Sequence, residues 1–394
     1  MKNVAKKVIA KKNLGYKVVV VVSAPGDTTD DLIKMATDIS QNPDSREMDM
    51  LMATGEQISI ALLSIAIKEK GYSAISLTGA QVGIKTIGSH TKAKIKDISL
   101  DKILNELKKD NIVIVAGFQG IDENQDITTL GRGGSDLTAV AIAAVLKADE
   151  CEIYTDVKGI YTTDPRIVKN AVKIEKISYD EILEMASLGS QVMQARSVEI
   201  AKKFGVIIHV RSTFSEDNGT FIVKEEEYME NIVVRGVAFD KNQVKISIFH
   251  LLDEPGVASR LFEHFAKADI NIDMIVQSTA DNGKNNISFT IATFDLKKTL
   301  SVIENVEKND KDIKFGKILY DDNIAKISIV GIGMKSHAGV ASKMFKTLAD
   351  NKINIHLIST SEIKISCVID KDKADIAVNA VHDAFELNKK EISI

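Results

Sequence analysis

Only two cysteines, Cys151 and Cys367, occur in 394 residues. They stand far apart, which excludes a disulfide framework and zinc-ligand spacing and fits a reducing, cytoplasmic setting. Tryptophan is absent and decides nothing. No charge of one sign dominates: the formal net charge is −4, so no global basic field points to nucleic acid. Long hydrophobic runs are missing; the longest, such as VVVVV at 18–22, are of strand length and too short to cross a bilayer. The basic N-terminal stretch has no apolar signal core that would mark export. A Walker A loop, a protein-kinase glycine loop with HRD, a GxSxG elbow and an HExxH pair are also absent. No two of the seven histidines have ligand spacing, so no metal-binding residues are expected.

What is present is the composition of a soluble globular protein, 44% hydrophobic and 27% charged, long enough for two or three domains. The first half alternates helix-like and strand-like segments. KKVIAKKNLG ends a helix at Gly15. YKVVVVVSA is β-branched on every face, as in a buried parallel strand. EQISIALLSIAIKEKG, LDKILNELKKDN, SDLTAVAIAAVLKAD, SYDEILEMASLG and ARSVEIAKKFG have helical periodicity. SAISLTG, IVIVAGFQG, ECEIYTDVKG and VIIHVRS read as strands between them. Such alternation predicts a mainly parallel sheet with helices on both faces, with ligands at the carboxyl ends of its strands.

The second half repeats itself. GVASRLFEHFAKADINIDMI (256–275) and GVASKMFKTLADNKINIHLI (339–358) keep GVAS and INI at one offset. Each copy follows a strand, VKISIFHL or AKISIVGI, and precedes another, NNISFTIAT or IKISCVI, before a closing helix. Each reads β-α-β-β-α-β, a ferredoxin-like unit. The charged run KEEEYME at 224–230 falls between the halves, as a linker or a solvated face.

Three stretches of the first half carry polar chemistry. TTLGRGGSD (128–136) combines glycines, Arg132 and Asp136 at the mouth of a helix. Such a loop can turn amides toward an anion, with the helix dipole behind it, or be only a tight turn with Asp136 as a cap. YTDVKGIYTTDPR (154–166) presents Thr155, Asp156, Tyr161, Asp164 and Arg166 around Pro165, as nucleotide-binding groups or as a solvated turn. Glu56 lies in an otherwise apolar helix; it can meet a ligand's ammonium or sit at the surface.

Taken in order, VVVVSAPGDTTD, EMDMLMATGEQIS, SLTGAQ, IVAGFQG, TTLGRGGSD, CEIYTDVKGIYTTDPR, SLGSQVMQARSVE, GMKSHAGV and NIHLISTSEIKIS resemble aspartate kinase, in the amino-acid kinase family, along essentially the whole chain. The resemblance implies a three-layer αβα amino-acid kinase domain with a mainly parallel sheet, followed by two ferredoxin-like ACT domains. The boundaries expected are 1–224 for the kinase, 225–243 for a linker, and 244–321 and 322–394 for the ACT domains. It implies ATP and Mg²⁺, transfer of the γ-phosphoryl group to the β-carboxylate of L-aspartate, and feedback regulation of lysine, threonine, methionine and diaminopimelate synthesis. A carboxylate nucleophile is ionised at pH 7 and needs no general base, which agrees with the lack of a catalytic histidine.

By the same resemblance Glu56 meets the substrate's α-ammonium, and Arg132 holds its α-carboxylate with Ser135, Thr29 and Phe118. Ser23 and Asp136 lie near the transferring phosphoryl. Thr155, Asp156, Tyr161, Asp164, Pro165, Arg166 and Gln191 line the ATP site. Gln191 stands where the family usually has a lysine. The family also opens with a strand and glycine turn, Lys-Phe-Gly-Gly-Thr-Ser, whereas this sequence begins at the following helix, so weak or no kinase activity is expected of the chain as written. Effector residues implied are Asp253, Gly256, Val257, Ala258, Asn271, Ile272, Asp273 and Gln277 in the first ACT copy, and Val340, Ala341, Asn354, Ile355 and Ser361 in the second, for lysine or threonine. Pairing of ACT domains across chains implies a homo-oligomer. The rivals are a non-catalytic effector-binding subunit of an intact kinase, and a kinase of another amino acid such as glutamate.

Overall fold

In the computed structural model, residues 1–187, 193–225, 233–280, 283–310 and 313–389 are described. They form two units. The first is residues 1–160, 174–186 and, of those described, 193–225; the second is 161–173, 187 and the described residues from 233 onward.

The first unit opens with α1 (Lys2–Asn13), β1 (Val19–Val22), α2 (Thr28–Ile39) and α3 (Ser45–Lys68). The Asp44 carboxylate starts α3 by accepting from the amides of Arg46 and Glu47 at 3.0 and 3.2 Å. By length and composition α3 could cross a membrane, which the strand-length reading of the apolar runs did not anticipate. Here half of that apolar stretch is buried in the protein, with Met52, Ala53, Ile60, Leu63 and Ile67 facing the core. Next come β2 (Ala74–Leu77), α4 (Gly79–Val82), β3 (Ile84–Ile87), β4 (Lys94–Ile98), α5 (Asp101–Lys108) and β5 (Ile112–Ala116). They are followed by β6 (Gln119–Ile121), β7 (Ile127–Thr129), α6 (Gly134–Leu146) and β8 (Cys151–Thr155). The unit ends with β9 (Lys176–Ser178), α7 (Tyr179–Ser187), α8 (Ala195–Phe204), β10 (Ile208–Ser212) and β11 (Thr220–Val223).

Parallel pairing holds where the β-branched runs predict it. β5 lies between β1 and β2, parallel to both, and β8 runs parallel to β10. All five residues of β5 are buried, as a central strand covered on both faces requires. The strands divide into separate sheets, β1-β5-β2 and β8-β10-β11-β9, and α6 packs against both β1 and β8. A further sheet, β4-β3-β6-β7, was not visible in the sequence, because strands of three to five residues with polar members carry little periodicity.

The second unit is built on β12 (Gly236–Leu252), α9 (Val257–Lys267), β13 (Ile272–Ala280), β14 (Lys284–Ala292), α10 (Leu296–Asn309) and β15 (Ile318–Val330). It continues with α11 (Val340–Asp350), β16 (Leu357–Thr360), β17 (Lys364–Asp370) and α12 (Ala374–Ala384). One six-stranded antiparallel sheet, β13-β14-β12-β15-β17-β16, runs through both repeats. The repeat survives in detail: Gly256 and Gly339 cap α9 and α11 with φ of +93° and +92°, a conformation open to glycine and strained for other residues.

The two cores are separate. One gathers Val244, Ile246, Ile248, Leu261, Phe265, Phe289 and Ile303 under α9 and α10. The other gathers Val237, Ile327, Ile329, Met344, Leu348, Val378 and Val381 under α11 and α12. Here the second copy departs from the expected β-α-β-β-α-β order. No strand follows α12 among the described residues, and the place beside β15 is taken by Gly236–Asp240, which pairs with Lys326–Val330. That segment lies in the stretch expected as a linker. Its alternating apolar residues bury Val237 in the second core before the same strand continues into the first.

Candidate active site

The carboxyl ends of β1 and β5 lie side by side, with Val22 opposite Ala116 and the Gly117 amide donating to the Val22 carbonyl at 3.0 Å. Helices α3 and α6 close on this point. Gly55 of α3 leaves no room for a side chain, since a Cβ there would stand 2.8 Å from the Cβ of Ala24. A Cβ on Gly117 would come within 2.8 Å of the Ser135 hydroxyl, and one on Gly134 within 2.8 Å of the Phe118 ring. These glycines are therefore packing requirements, set by backbone approach of β1 to α3 and of β5 to α6.

That approach places Glu56 where its Oε1 accepts from the Ala24 amide at 3.0 Å, one residue beyond Ser23. Glu56 is 3% exposed. Its Oε2 is buried and has no hydrogen-bond partner among the described residues. Burial pushes its pKa up to about 7, with the Ala24 amide working against the shift. Asp136, in the first turn of α6, accepts no hydrogen bond among the described residues, and burial pushes it up to about 6. Among the described residues, neither carboxylate has the cation that would normally neutralise it. A bound ammonium or metal-complexed phosphate would restore both to the charged form.

Phe118 has φ of +68°, an uncommon conformation for a residue with a side chain. It is fixed by its own amide, which donates to Thr138 Oγ1 at 3.1 Å, and by its carbonyl, which accepts from Leu130 at 2.9 Å. Thr29 lies in the first turn of α2, half-buried, beside Thr28, whose hydroxyl donates to the Pro25 carbonyl at 2.6 Å. Arg132 is exposed in the glycine turn between β7 and α6, with no ion pair among the described residues. The structure thus gathers Ser23, Glu56, Phe118, Ser135 and Asp136 around the ends of β1 and β5, with Thr29 and Arg132 on adjoining turns.

Thr155 and Asp156 stand at the carboxyl end of β8, where the Thr155 hydroxyl donates to Asp156 Oδ1 at 3.0 Å. Tyr161, Asp164, Pro165 and Arg166 belong to the second unit. There the Arg166 guanidinium grips the Asp164 carboxylate through Nε and Nη2, at 2.8 to 3.1 Å, and holds its pKa below the usual carboxylate range. Gln191 lies outside the described residues.

Four supporting residues were missed in the sequence. Gln194 Nε2 donates to the Arg132 carbonyl at 2.6 Å, and its stem fills the space beside Gly133. Arg196 donates to the carbonyls of Leu130 and Ala93 at 2.8 and 3.1 Å. Thr138 ties Phe118 to the first turn of α6. Asp49, fully buried, accepts from the Thr91 amide and the Thr129 hydroxyl. Asp49 offered the same signal as Glu56, a carboxylate inside an apolar helix; the others offered none.

The effector positions fall in two groups. Val257 and Val340 are core side chains, so only their backbones are available, while Ala258, Ile272, Ala341 and Ile355 pack against those cores. Asn271, Gln277, Asn354 and Ser361 are exposed. Asp253 accepts from the Asn285 side-chain amide at 2.6 Å. Asp273 is paired with the ammonium of Lys326, which is 1% exposed.

One cluster with metal-ligand chemistry is found among the described residues, Glu150, Glu152 and His209, whose ligand atoms lie within 4.8 Å of one another. Lys11 and Arg211 already reach Glu152 at 2.8 and 2.9 Å, so the group stands as an ion-pair network.

Residues 1–212 match the amino acid kinase family, and residues 250–306 and 327–385 match the ACT domain. The chain is 50% identical over 389 residues to aspartokinase 2 of Bacillus subtilis, covering 99% of this chain and 94% of that protein. It is 48% identical over 389 residues to the aspartate kinase of Pseudomonas putida, covering 98% and 94%. Its fold follows that of Escherichia coli aspartokinase III crystallised with aspartate and ADP, with a TM-score of 0.81 at 23% identity over 97% and 95% of the two chains.

Proposed function

This chain belongs to the amino acid kinase family, among the aspartokinases that carry ACT domains, and from that premise we propose how its own residues carry the reaction. It is an aspartate kinase; relatives matched along nearly their whole length displace the reading as a non-catalytic subunit. The reaction we propose is transfer of the ATP γ-phosphoryl group to the β-carboxylate of L-aspartate. The bond from the γ-phosphorus to the β,γ-bridging oxygen breaks and the bond to the carboxylate oxygen forms, giving ADP and 4-phospho-L-aspartate. No proton moves at the nucleophile, so the site has to orient two anions and screen their charge.

Glu56 carries this reading. A buried carboxylate with one unpartnered oxygen is complementary to the α-ammonium of an amino acid. Arg132, exposed on its glycine turn, takes the α-carboxylate, with Ser135, Thr29 and Phe118 lining the same pocket. Ser23 and Asp136 face the phosphoryl side. Thr155, Asp156, Tyr161, Asp164, Pro165, Arg166 and Gln191 serve the nucleotide. Asp136, unpaired among the described residues and raised to about 6, is the residue whose chemistry would hold Mg²⁺, which would supply charge screening when bound with ATP. The first-turn amides of α9 and α11, which no side chain caps, suit the carboxylate of lysine or threonine, and ACT-to-ACT pairing of chains completes the regulatory half.

Trapping the acyl phosphate with hydroxylamine tests the reaction: ATP-dependent hydroxamate should form with L-aspartate and not with L-glutamate. Product from glutamate alone would overturn the substrate assignment. A rise in thermal midpoint with lysine or threonine is expected if the ACT domains take them; no rise with either would remove that assignment.

A further inference from the structure

The segment 161–173 follows the strand β8 and its loop in the chain but packs as part of the second unit. It carries Asp164 and Arg166, so its conformation decides where those two side chains stand. What fixes it is α12, the last helix of the second ACT domain. Thr162 is 8% exposed and His382 fully buried. Thr162 Oγ1 lies 2.9 Å from His382 Nε2 and accepts the Val172 amide at 3.1 Å. The Thr162 carbonyl accepts from Val237 at 2.7 Å, and its amide donates to Val172 at 2.9 Å. Two further ties act beside it. Asn170 Nδ2 donates to Asp383 Oδ1 at 3.2 Å, and Val168 is buried in the core formed with Val378 and Val381.

The hydrogen-bond directions are consistent with one another. Burial holds the His382 imidazole in its neutral form, with the charge of Asp383 working the other way. His382 Nδ1 lies 3.9 Å from Asp383 Oδ1, too far for a hydrogen bond. A proton on Nδ1 is favoured by that nearby carboxylate, which leaves Nε2 as acceptor for the Thr162 hydroxyl. The hydroxyl oxygen then accepts the Val172 amide. The chain of bonds runs from the backbone of the segment through Thr162 into the ACT helix and ends at the His382 ring, whose Nδ1 has no hydrogen-bond partner among the described residues.

We propose that His382 is a positioning residue for the nucleotide: through Thr162 it sets the 161–166 turn, and with it Asp164 and Arg166. The inference rests on the reading that this turn binds ATP. It assigns to the second ACT domain a role in nucleotide affinity that neither residue's type disclosed.

Steady-state kinetics on the full chain test it. Thr162→Val removes the hydroxyl at constant shape, and His382→Leu removes the imidazole. Each should raise KM for ATP about tenfold, the loss of one buried hydrogen bond, with kcat and KM for aspartate within about twofold. The two together should do no more than either alone, and His382→Gln, which keeps a polar atom near Nε2, should recover most of the affinity. A merely structural role would lower the thermal midpoint and move all three constants together. An unchanged KM for ATP in folded Thr162→Val, or effects of the two substitutions that add, would overturn the inference. Asp164→Asn separates it from its premise. If that variant raises KM for ATP while Thr162→Val does not, the positioning role alone fails; if Asp164→Asn has no effect, the turn is not a nucleotide site and both fall.

Discussion

The carboxylates singled out in the two units stand in opposite surroundings. In the first, Glu56 is buried and Asp136 partly buried with no cation beside either among the described residues, and both are pushed upward, to about 7 and about 6. In the second, Asp273 and Asp253 are exposed, and each has a partner: Asp273 the ammonium of the buried Lys326, Asp253 the amide of Asn285. A folded chain bears the cost of an unpaired buried charge only where something outside it completes the pair. Glu56 and Asp136 are therefore waiting for ligands, whereas Asp273 and Asp253, like Asp49 of the first unit, already have partners within the fold. The difference also separates the two kinds of glycine. Gly117 and Gly134 permit backbone to approach Ser135 and Phe118 at the site, whereas Gly256 and Gly339 have open space around them and serve the turn into a helix.

The largest expected effect removes the waiting charge. Glu56→Gln should lower kcat/KM for aspartate by about a thousandfold, as loss of one partner of a buried charge pair does. A loss under tenfold would show that Glu56 is not the ammonium partner. The same substitution should stabilise the protein. A carboxyl whose folded pKa lies above its unfolded value of about 4.3 contributes stability below that value and loses it as pH rises through about 7, a difference on the order of 3 kcal/mol. The thermal midpoint of Glu56→Gln should therefore exceed that of the natural chain at pH 8 and match it at pH 4. Equal midpoints at both would mean that Glu56 is solvated or paired.

Asp273→Asn makes the converse test in the second unit. It leaves the buried Lys326 ammonium without its partner, at a cost of about 3 kcal/mol seen in urea unfolding of that unit; adding Lys326→Met should return part of it. A smaller disturbance is Gly117→Ala. The new methyl must displace the Ser135 hydroxyl, and activity should fall about tenfold through KM for aspartate. Unaltered kinetics would show that the pocket has more room than the approach of β5 to α6 leaves.

Much of this was legible in the sequence because it is periodic or repeated. Helix α8 ends at Gly205 where ARSVEIAKKFG places its stop, and the GVAS words fall at equivalent helix starts. Two things were illegible for a physical reason. Strand Gly236–Asp240 serves the second ACT core from upstream of the first, and a pairing between distant segments leaves no local mark. His382 and Thr162 look ordinary in their own stretches; only the 220 residues between them, folded away, make them a pair. Glu56 was visible as an oddity, a carboxylate in an apolar helix, but its meaning depended on the one-sided burial of α3.

Proton release on substrate binding tests the central claim most directly. Calorimetric titration of the protein with L-aspartate at pH 7, in buffers of different ionisation enthalpy, counts the protons exchanged. A carboxyl at about 7 that becomes the partner of an ammonium should release about half a proton at pH 7, falling toward zero by about pH 9. Binding with no proton released at pH 7 would mean that the Glu56 carboxylate is already charged and partnered in the free protein, and the contrast between the two units would not stand.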